Sequence, residues 1–150
     1  MKQKGQEGCA YCGATATTRD HVPPRGLFPK PWPSDFITVP SCDPCNGGAS
    51  LDDEFFRVFL TLREESGVRS DAAAVLQTTM RGLHRPEYQG LRTTILSSLR
   101  EVEHISPNGL YLGHIRQYSV ERRRIERVCS RITRGLFYHH SGFRLPEDSW

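Results

Sequence analysis

The chain lacks any run of 18 apolar residues, so no membrane-spanning helix is expected. The opening MKQKGQEGCAYCG carries two lysines and no apolar stretch, so no secretory signal is expected either. Apolar residues are scarce: they make up 37% of the 150 residues, and mean hydropathy is −0.53. A core that lean favours a bound metal or a comparable staple in the smallest part of the fold. Internal repeats and low-complexity segments are also missing. These absences together predict a soluble, intracellular protein, with one domain or a small module plus an accessory region. In that compartment thiols stay reduced, and closely spaced cysteines bind metal rather than one another.

Lysine is missing from the second half of the chain, and arginine takes its place. Residues 1–66 hold seven Lys/Arg against nine Asp/Glu, a balance of −2, and residues 67–150 hold thirteen arginines against eight acids, a balance of +5. The asymmetry fits a second half that meets a polyanion, and equally an ordinary solvated surface.

What is present is cysteine in a pattern. Cys9-Ala-Tyr-Cys12 and Cys42-Asp-Pro-Cys45 are separated by 29 residues. Each two-residue spacer lets one tight turn aim two sulfurs at one point, and zinc takes four such ligands in a tetrahedron. Four thiolates close the coordination shell, so the expected role of Zn²⁺ is structural. The fifth cysteine, Cys129, lies on an apolar stripe and is expected to be a buried core thiol.

Between the knuckles, residues 15–22 (TATTRDHV) read as a strand from their threonine and β-branched content. Residues 23–33 contain five prolines and must form a loop, while 36–40 (FITVP) read as a second strand. After Gly47-Gly48, Ser50 and Asp53 resemble a capping box. The helix that follows places Leu51, Phe55, Phe59 and Leu62 on one face, and Gly67 ends it. Further helices are expected from Ser70 to about Arg81 and from Pro86 to about His104, the latter with Leu91, Ile95, Leu99 and Val102 on one face. Pro107-Asn108-Gly109 reads as a turn, and GLYLGHIRQY as a short extended segment or hairpin arm. Ser119 is expected to cap a last helix whose stripe is Ile125, Val128, Cys129, Ile132 and Leu136.

Cys9-x-x-Cys12, Asp20-His21-Val-x-Pro24 and Cys42-x-x-Cys45-Asn46, in that order, resemble the cysteine-containing branch of the HNH endonuclease superfamily, over about residues 7–60. The resemblance implies a ββα-metal module in which His21 is the general base for an attacking water. It also implies that Asp20 and Asn46 hold a catalytic divalent ion, Mg²⁺ or similar. Asp53 is weighed both as a further ligand of that ion and as a helix cap. The chemistry suits these residue types: histidine titrates near neutrality, and a metal on two protein oxygens keeps positions open for water and the leaving oxygen. The second strand lacks an asparagine to orient the base, leaving Asp35, Thr38 or a backbone carbonyl for that task.

ERRRIERVCSRITR, residues 121–134, holds six arginines and two glutamates. Arg123 or Arg124, Arg127, Arg131 and Arg134 recur at helical spacing as a basic face, suited to phosphates or to clamping the acidic first helix. Arg25 and Lys30 in the loop and Arg57 and Arg63 on the first helix are further nucleic-acid candidates. His139-His140 read as a surface or helix-end pair.

The sequence thus predicts an α+β protein: a zinc-stapled HNH-like module over 1–66 and a mainly helical accessory region over 67–150. The expected function is metal-dependent cleavage of DNA, with RNA as a possible substrate class and no membrane partner. The alternative is a non-catalytic zinc module that binds nucleic acid or a protein.

Overall fold

A computed structural model of the chain describes residues 7–62 and 70–146. The first knuckle is a tight turn in which the Gly13 N–H donates to the Cys9 carbonyl, and Gly13 adopts φ +81°, which glycine reaches without a Cβ clash. Strand β1 (Thr18–His21) follows and pairs antiparallel with β2 (Thr38–Ser41), with Asp20 opposite Val39 and His21 opposite Thr38. Both strands are shorter than expected, but the antiparallel pair is there. The Ala10 N–H donates to the Pro40 carbonyl, which ties the first knuckle to β2.

The second knuckle opens α1 (Asp43–Asn46), with Pro44 in its first turn where the missing N–H costs nothing. Helical backbone then continues through a 3₁₀ turn at Gly47–Ala49 into α2 (Ser50–Thr61). The expected Ser50–Asp53 capping box does not form, because the preceding turn already supplies carbonyl acceptors and α2 has no side-chain cap. The buried face of α2 is Glu54, Phe55, Phe56, Val58 and Thr61. Leu51, expected on that face, is exposed, because the first turn of α2 meets its neighbour through Asp52 and Asp53 instead.

Helix α3 (Ser70–Gly82) and helix α4 (Gln89–Ser98) follow. The sequence pattern extends α4 to His104, but the structure ends it at Ser98. Leu99 turns extended, and Arg-Glu-Val-Glu-His-Ile continues as strand β3 (Arg100–Ile105). Val102 and His104 are half-buried while their neighbours are exposed, so period two overrides the helical reading. β3 pairs with β4 (Tyr111–Gln117) in a hairpin whose turn contains Gly109 at φ +83°. The last helix, α5 (Arg122–Ser141), begins beyond the expected Ser119 cap.

The fold is therefore α+β, with two small antiparallel sheets. Two compact units divide it differently from the 1–66 and 67–150 halves read from sequence: residues up to Leu76 together with those from Arg122 onward, and Gln77–Glu121. α5 thus belongs with the knuckles. The core of the first unit is Cys9, Ala10, Tyr11, Val22, Val39 and Cys42, flanked by Ile37, Cys45, Ile132, Leu136 and Tyr138. Gly135 of α5 sits so close to Val22, just past the end of β1, that a Cβ there would lie 2.6 Å from a Val22 methyl and 3.2 Å from the Tyr11 hydroxyl. Among the described residues no helix is long and apolar enough to cross a membrane.

Candidate metal centre and the Asp20–His21 strand

The two knuckles converge. The sulfurs of Cys9, Cys12, Cys42 and Cys45 lie within 4.8 Å of one another, and those of Cys12 and Cys42 are 3.6 Å apart. A tetrahedron with Zn–S bonds of about 2.3 Å has edges of about 3.8 Å, so the cage has the size of a metal site. Burial raises the Cys9 pKa, but N–H groups of Cys12, Cys42 and Tyr11 outweigh it and bring the thiol down to about 6. Cys45 is pushed up by burial first and then by the neighbouring sulfurs. Four thiolates this close repel one another unless a cation sits between them, and a metal ion fits the set. Among the described residues this is the group of three or more His, Cys, Asp or Glu side chains that gathers within metal-binding reach.

Asp20, which directly follows Arg19 on β1, is 6% exposed. Its Oδ2 accepts a hydrogen bond from the Tyr11 hydroxyl at 2.7 Å and lies 3.5 Å from Arg131 Nε. Arg131 also donates to Asp53, so one guanidinium from α5 holds carboxylates from β1 and α2. Burial works against the charge of Arg131, but Asp53 and Asp20 overcome it and raise its pKa. Burial first, and then the charges of Asp20 and Asp52, raise the Asp53 carboxyl despite Arg131. Burial and the Asp20 charge likewise push Tyr11 well above its ordinary value.

Asn46 reaches β1 at a different point. Its amide nitrogen donates to Thr18 Oγ1 at 3.0 Å and to the Arg19 carbonyl at 3.3 Å. The divalent-ion reading of Asp20 and Asn46, with Asp53 as a further ligand, therefore does not fit this arrangement. The carboxylates of Asp20 and Asp53 already share a guanidinium, and a second cation beside it would be repelled. Asp53 is neither a cap nor an open ligand but half of an ion pair.

His21 points to the other side of β1, as alternation requires, and is half-exposed with its ring 5.8 Å from Phe36, edge to face. Thr38, a candidate to orient it, is engaged elsewhere: its hydroxyl accepts from Arg19 Nε at 3.0 Å.

The basic residues expected to contact nucleic acid lie in different surroundings. Arg127 donates to both oxygens of Asp52, at 2.6 and 2.9 Å, and Arg124 lies 3.8 Å from Asp52 and 5.3 Å from the Phe55 ring. Arg127 and Arg131 therefore clamp the acidic start of α2, the second of the two uses open to the basic face. Arg57 pairs with buried Glu54 beneath the proline loop, packed against Gly26. Arg123 and Arg134 line a cleft of about 1050 Å³ between α5 and the second knuckle, together with Tyr11 and Cys45. Arg25 and Lys30 are exposed on the proline loop, and Arg63 lies outside the described residues.

Cys129, expected in the core, is exposed, because α5 buries Val128 and Gly135 and half-buries Arg131 and Ile132. His139 and His140 are exposed neighbours whose rings lie 5.0 Å apart. The sequence reading missed Tyr11 and Gly135. An aromatic with a hydroxyl inside a cysteine knuckle and a lone glycine inside a helix were the available signals.

Comparison with protein families, curated proteins and solved structures returns no match, so the functional reading rests on these residues alone.

Proposed function

We propose that this protein is an HNH-type nuclease whose four-cysteine site holds a structural zinc ion and whose His21 is the general base for phosphodiester hydrolysis. The observation that carries this reading is His21 at the end of a strand held between the two knuckles. β1 is braced by Tyr11 on one side and Asn46 on the other, while the imidazole stays half-exposed. An imidazole is a residue type that can take a proton from an attacking water, and a fixed strand end keeps it in one place against the scissile phosphate.

A second reading has its own support. The engagement of Asp20 by Tyr11 and Arg131 favours a module that binds nucleic acid without cutting it. One experiment separates the two: purified full-length protein is incubated with plasmid and with short labelled DNA, with and without added Mg²⁺, Mn²⁺ or Ni²⁺. Cleavage that is lost in His21→Ala supports the nuclease. Salt-sensitive binding with no cleavage under any condition supports the binder.

A further inference from the structure

The loop between the strands contains an exposed group that neither the zinc site nor the ion-pair clamp uses. The Arg25 guanidinium carbon and the Lys30 ammonium each lie 4.6 Å from the centroid of the Trp32 ring. One indole thus organises two cations. Both cations are exposed, Trp32 and Phe28 keep 37% of their surface exposed, and the segment from Val22 to Ser34 contains no acid. The group is linked to the proposed base by ring contacts: Phe28 lies 5.1 Å from Phe36, which lies 5.8 Å from His21. Beneath it, Gly26 rests against Arg57, whose own charge is used by Glu54.

Two held cations 4.6 Å from one ring present a double positive charge to solvent, the complement of consecutive phosphates. Exposed aromatic surface beside them suits base faces, which are free to stack only where the bases are unpaired. A duplex would use the charges alone. We propose that Arg25, Lys30 and Trp32 form a binding surface for single-stranded DNA, with Phe28 as its second stacking platform. This rests on the nuclease reading only for its bearing on His21; the binding itself stands apart from cleavage.

The test uses the full chain, without added divalent ion, and a fluorescently labelled thymidine strand of about 15 nucleotides, within the span one such groove covers. Anisotropy is read against salt, with a duplex of equal length as the second probe. The expected result is tighter binding of the single strand by about tenfold or more. Arg25→Ala with Lys30→Ala should flatten the slope of log K against log salt by about 1.4, at roughly 0.7 per released phosphate contact on a single strand. Trp32→Ala should weaken single-strand binding by about 5- to 100-fold and leave duplex binding little changed, since stacking contributes to the single strand alone. Thermal melting and zinc content matching wild type certify each loop variant as folded; Trp32→Phe serves for Trp32→Ala where they do not match, and should retain part of the single-strand preference. Duplex binding equal to or tighter than single-strand binding, or an unchanged salt slope in the double variant, overturns the proposal. His21→Ala should bind like wild type, so loss of cleavage and loss of this surface are read separately.

Discussion

The Tyr11 hydroxyl donates to Asp20 Oδ2 at 2.7 Å, so the residue between the first two cysteines reaches across to the acid beside the proposed base. The same carboxylate faces Arg131 at 3.5 Å. Knuckle, strand and last helix meet at one buried charge. Tyr11→Phe keeps the ring and deletes the donor to a charged acceptor. It should lower stability by about 1.5–3 kcal/mol in denaturant unfolding. The metal content per chain should not change, because Tyr11 is no ligand.

Arg131 and Arg127 lie on the same helix but in different surroundings. The Arg131 side chain is 11% exposed between Asp20 and Asp53, whereas that of Arg127 is 58% exposed against Asp52. Arg131→Met leaves two largely buried carboxylates without a cation and should cost about 3–5 kcal/mol. Arg127→Ala should cost about 0.2–1 kcal/mol, since water screens that pair. Equal losses in the two variants would contradict the clamp described for α5.

Much of the first unit was legible in the sequence. The paired Cys-x-x-Cys spacing led to the four-sulfur cage, and the threonine-rich and FITVP segments led to the antiparallel pair. Charge partners were not legible, because sequence spacing shows that Arg127 and Arg131 share a face but not which acids they meet. Asp20 looked like an open metal ligand for that reason. The β3 strand was lost to a helical reading because Leu91, Ile95, Leu99 and Val102 also fit a period of 3.6. Only pairing with β4 across Gly109 decides between the two periods.

Gly135 offers a test whose sign is informative. In an ordinary helix interior, glycine to alanine stabilises by about 0.5–1 kcal/mol. Here the new Cβ would sit 2.6 Å from a Val22 methyl. Gly135→Ala should therefore destabilise by about 1–3 kcal/mol, measured by thermal or denaturant unfolding. A stabilised variant would show that α5 does not approach Val22 this closely.

The acid limb of stability should depend on Asp52. Its pKa is lowered, chiefly by the hydrogen bond from Arg127, with burial opposing and the charges of Arg127, Arg124 and Arg131 assisting. A depressed folded-state pKa contributes stability that is complete above the unfolded value of about 3.9 and is lost as pH falls through the folded value. The melting-temperature gap between wild type and Asp52→Asn should thus be widest above about pH 5 and close as pH falls below 4. A gap that widens on acidification would have the wrong sign.

Metal removal should act on the fold before it acts on chemistry. One zinc ion per chain is expected by mass spectrometry under native conditions. Cys45→Ser or a strong chelator should abolish cooperative unfolding of the first unit, whose core is built around Cys9 and Cys42. Retained cooperativity without metal would make the four-cysteine cage incidental.

The measurement closest to the central claim is the single-turnover cleavage rate of bound DNA by wild type and by His21→Ala, matched for zinc content, melting temperature and DNA affinity. The account predicts cleavage by wild type and a loss of about 10²–10⁴-fold in the variant, the contribution of a positioned general base, with binding unchanged. Cleavage at equal rates in both proteins, or by neither with any divalent ion added, would contradict it.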